Sequence, residues 1–565
     1  MSQATAIPRY RPPQRVATSA PASPAGGAPP DLPPLAVIVL NRMGFGPRPG
    51  DIAAFVSLGA DDDARLAAYV AQQLNPDPAE ANDPDYHERR RGLNGKPDPG
   101  FVTLDQTLTQ LWTTYQINNV TPNRPVDEAR LDTLCRMVYS KWQLREILAD
   151  FWHNHFNVYG FENYTQETLV AYDRDVVRAN LFGNFRTLLE AVGKSTTMLY
   201  FLDNYTNTRS GPNENYAREL FELHTLGAEN YFGVEPQANV PQEGVWPAGL
   251  PGEGLPRPAG YVDADVYEAA RCFTGWGVDG TLGTFLYTDA NHDRFQKSVL
   301  NKGVVNLPAD QPTDKDGKDV YDLLASHPGT GRFVVRKLCR RLIADDPPQS
   351  LIDTVAPLFT SLWQAGDQLK QVYEAILLST EFRTTWAEKV KRPVELAVSA
   401  LRAASPNWLF GYSSQVGPTI ETDTSNFLSR LAKTGHTLFG RVPPDGFPDR
   451  KEKWSSSNSR VQCWRLAGWL IDQDIDGDSA TDDFRCDVVG TTLASSARSA
   501  NQLADFWIDR VLGRPMADAD RDEIVGFMAA GANPNLNLNL NDSLTKKRLR
   551  SMVALLMMSP DFFWK

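Results

Sequence analysis

The feature that most restricts what this chain can fold into is the spacing of its apolar residues. Leu134, Val138 and Trp142 recur every four residues, and Ile147, Leu148 and Phe151 carry the stripe onward. That recurrence puts side chains on one face of an α-helix, whereas a half-buried strand would need alternation. Helical spacing dominates the rest of the chain. Residues 165–203 read as further helices, broken at Gly183 and Gly193, and Asn213 to Leu226 reads as another. Asn213 is a good N-cap there, Glu214 suits the first turn, and Gly227 is a natural residue to follow the last turn. The best strand candidate is TLGTFLYTD (281–289), which suggests a short hairpin. The expected fold class is therefore mainly α.

Punctuation suggests the organisation. Residues 1–34 are rich in Pro, Ala and Ser, offer little to bury and read as a disordered leader. Ordered structure is expected from near Leu35, with a cap-like Asp51 opening an early helix. Residues 232–262 hold many Pro and Gly and read as a long loop, and 277–319 form a second irregular stretch. One internal repeat is visible: YEAILLSTEF (373–382) aligns with VALLMMSPDF (553–562), each after a helix–loop–helix unit. These features predict a multi-helix architecture of two lobes, 35–330 and 331–565, with a repeated helix–loop–helix module in the second.

Composition excludes several classes. The formal charge of -12 is spread along the chain, which favours solubility and disfavours nucleic-acid binding. The run Lys546, Lys547, Arg548 and Arg550 fits a solvated helix face. Five cysteines, none in a CxxC pair, argue for buried free thiols rather than disulfides or a zinc ribbon. No apolar run reaches the ~18 residues of a membrane span. The first continuous apolar run, Leu35 to Leu40, is too short for a signal peptide core, which favours a cytoplasmic location. Walker, Rossmann, GxSxG and CxxCH patterns are missing from the sequence, so neither nucleotide nor haem is expected.

The segment PNENYARELFELHTLG (212–227) resembles the hallmark of the domain of unknown function 1800 family. Further matching segments are FWHNHFNV (151–158), YFLDNYTN (200–207), AARCFTGW (269–276), HPGTGRFVVRKL (327–338), LLSTEFR (377–383), KRPVELAVSALRA (391–403) and PPDGFPD (443–449). The resemblance spans residues 35 to 565 in the family's order. It implies a bacterial protein without an assigned activity, in a family whose members often look exported and sit beside a companion family resembling sulfatases and phosphatases. An exported location is therefore the alternative to a cytoplasmic one. The long insertion at 232–262 departs from the family pattern.

Three groups of residues are candidates for chemistry. On a helix, Glu214, Asn215, Arg218, Glu219, Glu222 and Thr225 share one arc, opposite Tyr216, Ala217, Leu220, Leu223 and His224. A solvated face laced by Glu214–Arg218 and Arg218–Glu222 pairs is the plain interpretation. In a cleft, the neighbouring Glu219 and Glu222 would raise each other's pKa and divide acid and base roles, with Arg218 orienting a carboxylate or an anionic substrate. Such a face suits hydrolysis of a carbohydrate-like substrate, with Asn213, Asn215, His224 and Trp276 as substrate contacts. Trp246, Trp454 and Tyr205 are further aromatics near loops. His153 and His155 would share a face in a strand and diverge on a helix. They are either acid/base or metal groups near the Glu face, or satisfy backbone at a helix end. Finally, Asp472, Asp474, Asp476 and Gly477 match the first half of a calcium loop, with Asp483 where a Glu is expected. That stretch is either a Ca2+ site or an ion-free acidic loop. The leading expectation is a hydrolase-like enzyme with a cleft roofed by 232–262; the alternative is a non-catalytic helical scaffold that holds a protein partner.

Overall fold

The computed structural model describes residues 32–77, 79, 83–90, 101–404, 410, 411, 420, 422–471 and 486–565. The described residues form 26 α-helices and two two-stranded sheets, so the fold is mainly α. The acidic stretch 472–483 lies outside them, and so does nearly all of the leader. The first helix is Leu35–Arg42, and Asp51 starts the short helix Asp51–Val56 in its first turn rather than as its cap, which is Gly50.

Local chemistry explains many helix boundaries. Asn184 accepts the Thr187 N–H at 3.1 Å to open Phe185–Lys194, and Ser195 accepts the Met198 N–H at 3.2 Å to open Thr196–Phe201. Gly183 does interrupt the helices, but Gly193 lies inside Phe185–Lys194. A Cβ there would stand 1.8 Å from the Tyr321 hydroxyl and 2.3 Å from that of Tyr216. Gly193 therefore makes room for a buried Tyr216–Tyr321 hydroxyl pair at 2.6 Å instead of breaking a helix.

The expected hairpin is present: Trp276–Val278 pairs antiparallel with Phe285–Tyr287, Gly277 opposite Leu286. The 232–262 stretch is not wholly irregular, because Gln242–Val245 and Pro256–Pro258 form a second small antiparallel pair. All five cysteines are buried and free. No described helix is long and apolar enough to cross a membrane.

The repeat has a structural counterpart. Helices Pro328–Leu342, Gln349–Ser361 and Gln368–Leu377 pack on one another, as do Ala500–Leu512, Asp518–Ala529 and Ser543–Met558. Each trio ends in a serine, Ser379 or Ser559, whose hydroxyl accepts the N–H of the phenylalanine three residues on and opens a one-turn helix. One hydrophobic core runs from Ala36 to Phe563. Helices distant in sequence share it: Arg402, on Pro393–Ala404, donates to the Val138 carbonyl at 2.8 Å at the end of Arg124–Tyr139 and to the Gly46 carbonyl at 2.7 Å.

Candidate functional site

Both candidate histidines stand on one helix, Gln143–His155, which separates them. His153 Nε2 lies 2.6 Å from Asp173 Oδ1. Arg178 donates to Asp173 at 2.7 Å and to Glu146 at 2.8 Å, so the ring joins a buried ionic chain. Burial works against the Asp173 carboxylate, but Arg178 and the His153 hydrogen bond outweigh it and hold its pKa well below the usual range. His155 points elsewhere. Its Nε2 donates to the His224 carbonyl at 3.0 Å, and its buried Nδ1 has no partner among the described residues. Neither ring nitrogen of His224 has one. Burial, reinforced by the charge of Lys337, keeps both imidazoles neutral, with His224 lowered to about 3. Among the described residues no three His, Cys, Asp or Glu side chains are grouped to hold a metal ion.

The acidic helix starts later than its cap pattern suggests. Asn215–Glu219 is α-helical, and Leu220–Thr225 continues as a π-helical turn that closes at Gly227, whose φ is 85°. Asn213 sits one step outside, its Oδ1 accepting the Asn215 N–H at 3.0 Å. Its own N–H donates to Asn207 Oδ1 at 2.9 Å, and Asn207 also donates to the Ala270 carbonyl at 2.9 Å. Asn207 thus clamps three of the matching segments together. The wider π turn rotates the later side chains away from α spacing. As a result Thr225 leaves the polar arc, is fully buried and donates to the Leu220 carbonyl at 2.6 Å.

Arg218 pairs with Glu214 and with Asp263, both at 3.1 Å, and not with Glu222. Glu219 and Glu222 are half-buried and have neither ion pair nor hydrogen bond among the described residues. The Glu219 pKa is pushed up to about 7, by burial first and then by the charge of Glu222, with Arg218 opposing and Asp445 adding. Tyr261, at the end of the 232–262 insertion, lies close enough to feel the Glu222 charge, and its buried hydroxyl lacks a partner among the described residues. Asn215 is exposed, its amide 3.5 Å from Asp203.

The loop aromatics are mostly core. Trp276 packs on Phe273, Phe285 and Tyr321, beneath the Tyr216 side of the acidic helix, and is 1% exposed. Trp246 donates to the Leu300 carbonyl at 3.0 Å, and Trp454 to the Pro448 carbonyl at 2.9 Å. Tyr205 alone of the four is exposed.

Sequence reasoning missed a buried polar centre. Asp150, next to the FWHNHFNV segment, accepts from Arg341 at 3.0 Å and from Arg392. Arg341 also reaches Glu395 at 2.6 Å, Glu395 accepts from Lys565 at 2.6 Å, and Lys389 lies 3.2 Å from Asp449. Asn154 completes the junction by gripping both polar groups of Phe447: its Oδ1 accepts that N–H at 2.6 Å and its Nδ2 donates to that carbonyl at 2.7 Å. Gly446, at φ 72°, lets the loop come so close, since a Cβ there would meet the Asn154 carbonyl at 2.1 Å. A cavity of about 280 Å³ opens beside this centre, lined by His155, Lys337, Arg340, Asp445 and Arg450 among others. A smaller one of about 40 Å³ adjoins His153 and Arg178.

A family model described as a protein of unknown function, DUF1800, matches residues 38–564. The chain belongs to the DUF1800 family. No curated protein and no solved structure matches it. In this DUF1800 protein most of the matching segments meet in space at two places. The 151–158, 391–403 and 443–449 segments and the helix carrying 327–338 join around Asp150, while 200–207, 212–227 and 269–276 join around Asn207.

Proposed function

We propose that this DUF1800 protein is a hydrolase-like acid/base enzyme acting on a carbohydrate-like substrate. Glu219 gives its proton to the leaving oxygen, and the Glu222 carboxylate activates water. The observation that carries this reading is the unpaired, half-buried Glu219, poised at about 7 beside a second unpaired carboxylate. A group with that pKa is part protonated at neutral pH and returns its proton readily. Glu222 lies near enough for its charge to raise the Glu219 pKa, so the two carboxyls can serve one substrate. Arg218, held by Glu214 and Asp263, braces the turn that carries them. The test is hydrolysis of aryl glycosides and aryl esters by the wild type, Glu219→Gln and Glu222→Gln. Turnover should fall about 10²–10⁴-fold in each variant. Wild-type activity that persists in both removes the acidic helix from the mechanism.

The second reading, a scaffold that holds a protein partner, draws on the ionic centre at Asp150. There Asp150 and Glu395 pair with Arg341, Arg392 and Lys565 and tie the matching segments into architecture. Under it, both Gln variants bind the partner normally and no substrate is turned over. Calcium at Asp472, Asp474, Asp476 and Asp483 is proposed on the loop spacing alone.

A further inference from the structure

We infer that the cavity of about 280 Å³ between the Pro328–Leu342 helix and the 445–450 loop binds a tetrahedral oxyanion, the phosphate or sulfate group of a small molecule, on Lys337, Arg340 and His155. The argument begins with charge. Five cations line this cavity: Lys337, Arg340, Arg341, Arg392 and Arg450. Its three carboxylates are already engaged. Asp150 holds Arg341 and Arg392, Asp449 lies 3.2 Å from Lys389, and Asp445 takes two bonds at 2.7 and 2.8 Å from Arg441, which is not in the lining. Arg450 reaches outward to Asp346 at 2.6 Å.

Lys337 and Arg340 are left over. Lys337 is half-buried, lies over the Phe333 ring at 5.3 Å, and makes no hydrogen bond or ion pair among the described residues. Arg340 donates from Nε to the Asp345 carbonyl at 3.0 Å, and its two terminal nitrogens have no partner there. A half-buried ammonium with no acceptor gives up part of its hydration without compensation, and two unneutralised cations close together repel. Accordingly the Lys337 pKa is pushed down to about 8, by burial first and then by Arg340, against the pull of Asp449, Asp445 and Glu229. An anion between the two side chains removes both penalties.

The third group is independent of this charge argument. His155 is 2% exposed and lines the same cavity, and its Nδ1 has no partner among the described residues. With Nε2 donating to the His224 carbonyl, a neutral ring leaves Nδ1 as an acceptor, suited to the P–OH of a monoprotonated phosphate or to a free hydroxyl elsewhere on the molecule that carries the oxyanion. Donors on one helix and an acceptor on another around a single cavity suit a tetrahedral group that accepts through its charged oxygens and offers a hydroxyl in a different direction, which a planar carboxylate cannot do. The binding step stands apart from any chemistry at Glu219, so it holds or fails whatever becomes of the hydrolase reading.

The experiment is calorimetric titration of the whole protein at constant ionic strength with sodium phosphate, sodium sulfate and glucose 6-phosphate, sodium chloride being the control. Saturable binding of phosphate or sulfate is expected. Its Kd should weaken at least about tenfold in Lys337→Met and in Arg340→Gln, with melting temperatures without ligand within about 2 °C of wild type. Lys337→Arg, which keeps the charge, should bind within about threefold of wild type. Glucose 6-phosphate binding at least about tenfold more tightly than phosphate identifies an organic ester as the ligand; equal affinity identifies the free oxyanion. Should Lys337→Met fail to fold, Arg340→Gln decides the matter alone. Heats indistinguishable from chloride, or wild-type affinity in Arg340→Gln, overturn the assignment.

Discussion

Replacing Glu219 by Gln probes the candidate site without any knowledge of a substrate. In the folded protein its carboxyl is raised from 4.5 to about 7, by burial first, then by Glu222, with Asp445 adding and Arg218 opposing. At about 1.4 kcal/mol for each pH unit between those values, the whole shift would put a penalty of ~3.5 kcal/mol on the ionised form. Glu219 is only half-buried, and solvent screening reduces this to ~1–2 kcal/mol. The sign follows from proton affinity. The native state holds this proton more tightly than the unfolded chain, so the extra stability is full below 4.5 and disappears as the pH rises through about 7. Gln carries no such proton and keeps a similar shape. The variant should therefore stay close to wild type at pH ~5, and the gap in its favour should widen by ~1–2 kcal/mol at pH ~8.5. For a chain of this length that is roughly 1–3 °C in melting temperature, readable by differential scanning calorimetry on paired samples. A gap that does not change with pH, or a variant that loses more than ~1 kcal/mol at both values, refutes the reasoning. Glu219 would then be a packed structural group rather than an unpaired acid.

Further perturbations address other parts of the molecule. Asp150→Asn leaves Arg341 and Arg392 buried with reduced charge compensation and should cost ~3–5 kcal/mol in a denaturant titration; a loss under ~1 kcal/mol would show the centre to be wet and weakly held. Gly446→Ala forces a Cβ against the Asn154 carbonyl at a positive φ and should cost ~1–3 kcal/mol by the same measurement; wild-type stability would place the loop elsewhere. His224 is held neutral, lowered from 6.5 to about 3 by burial and then Lys337, so its contribution is present above 6.5 and lost as the pH falls below it. His224→Gln should accordingly flatten the fall in melting temperature between pH ~7 and ~5, and an unchanged slope excludes His224 from the acid response. If 472–483 binds calcium, Ca2+ should raise the melting temperature over chelator in wild type but not in Asp474→Ala; no difference in wild type makes it an ion-free loop.

Residues close in the chain explain what could be read from its sequence. The apolar stripe through Leu134, Val138 and Phe151 specified helix because its period depends on neighbours three and four positions away. The serines at 379 and 559 announced the repeat for the same reason: a cap acts within three residues. The hairpin at Trp276–Val278 and Phe285–Tyr287 was equally local. The readings that went astray depended on partners far along the chain. Gly193 resembles a helix breaker until Tyr216 and Tyr321 are seen to need its missing side chain. Thr225 belongs to the polar arc at α spacing and leaves it only because Leu220–Thr225 widens into a π turn.

The sequence by itself determined the helical class, the acidic composition, the family and the short motifs that mark its two polar centres. Only the tertiary structure decided what those motifs do to one another. Asp150, Arg341, Arg392 and Asp449 come from stretches spread over three hundred residues, and nothing in their local pattern says that they meet. Glu219 owes its pKa only in part to its chain neighbours Glu222 and Arg218, since burial is the largest cause of the rise and Asp445 contributes from more than two hundred residues away. Helix propensity and capping are short-range energies, set by backbone hydrogen bonds within a turn. Desolvation and charge compensation depend on which distant surfaces the fold brings together, and so exist only once it has formed.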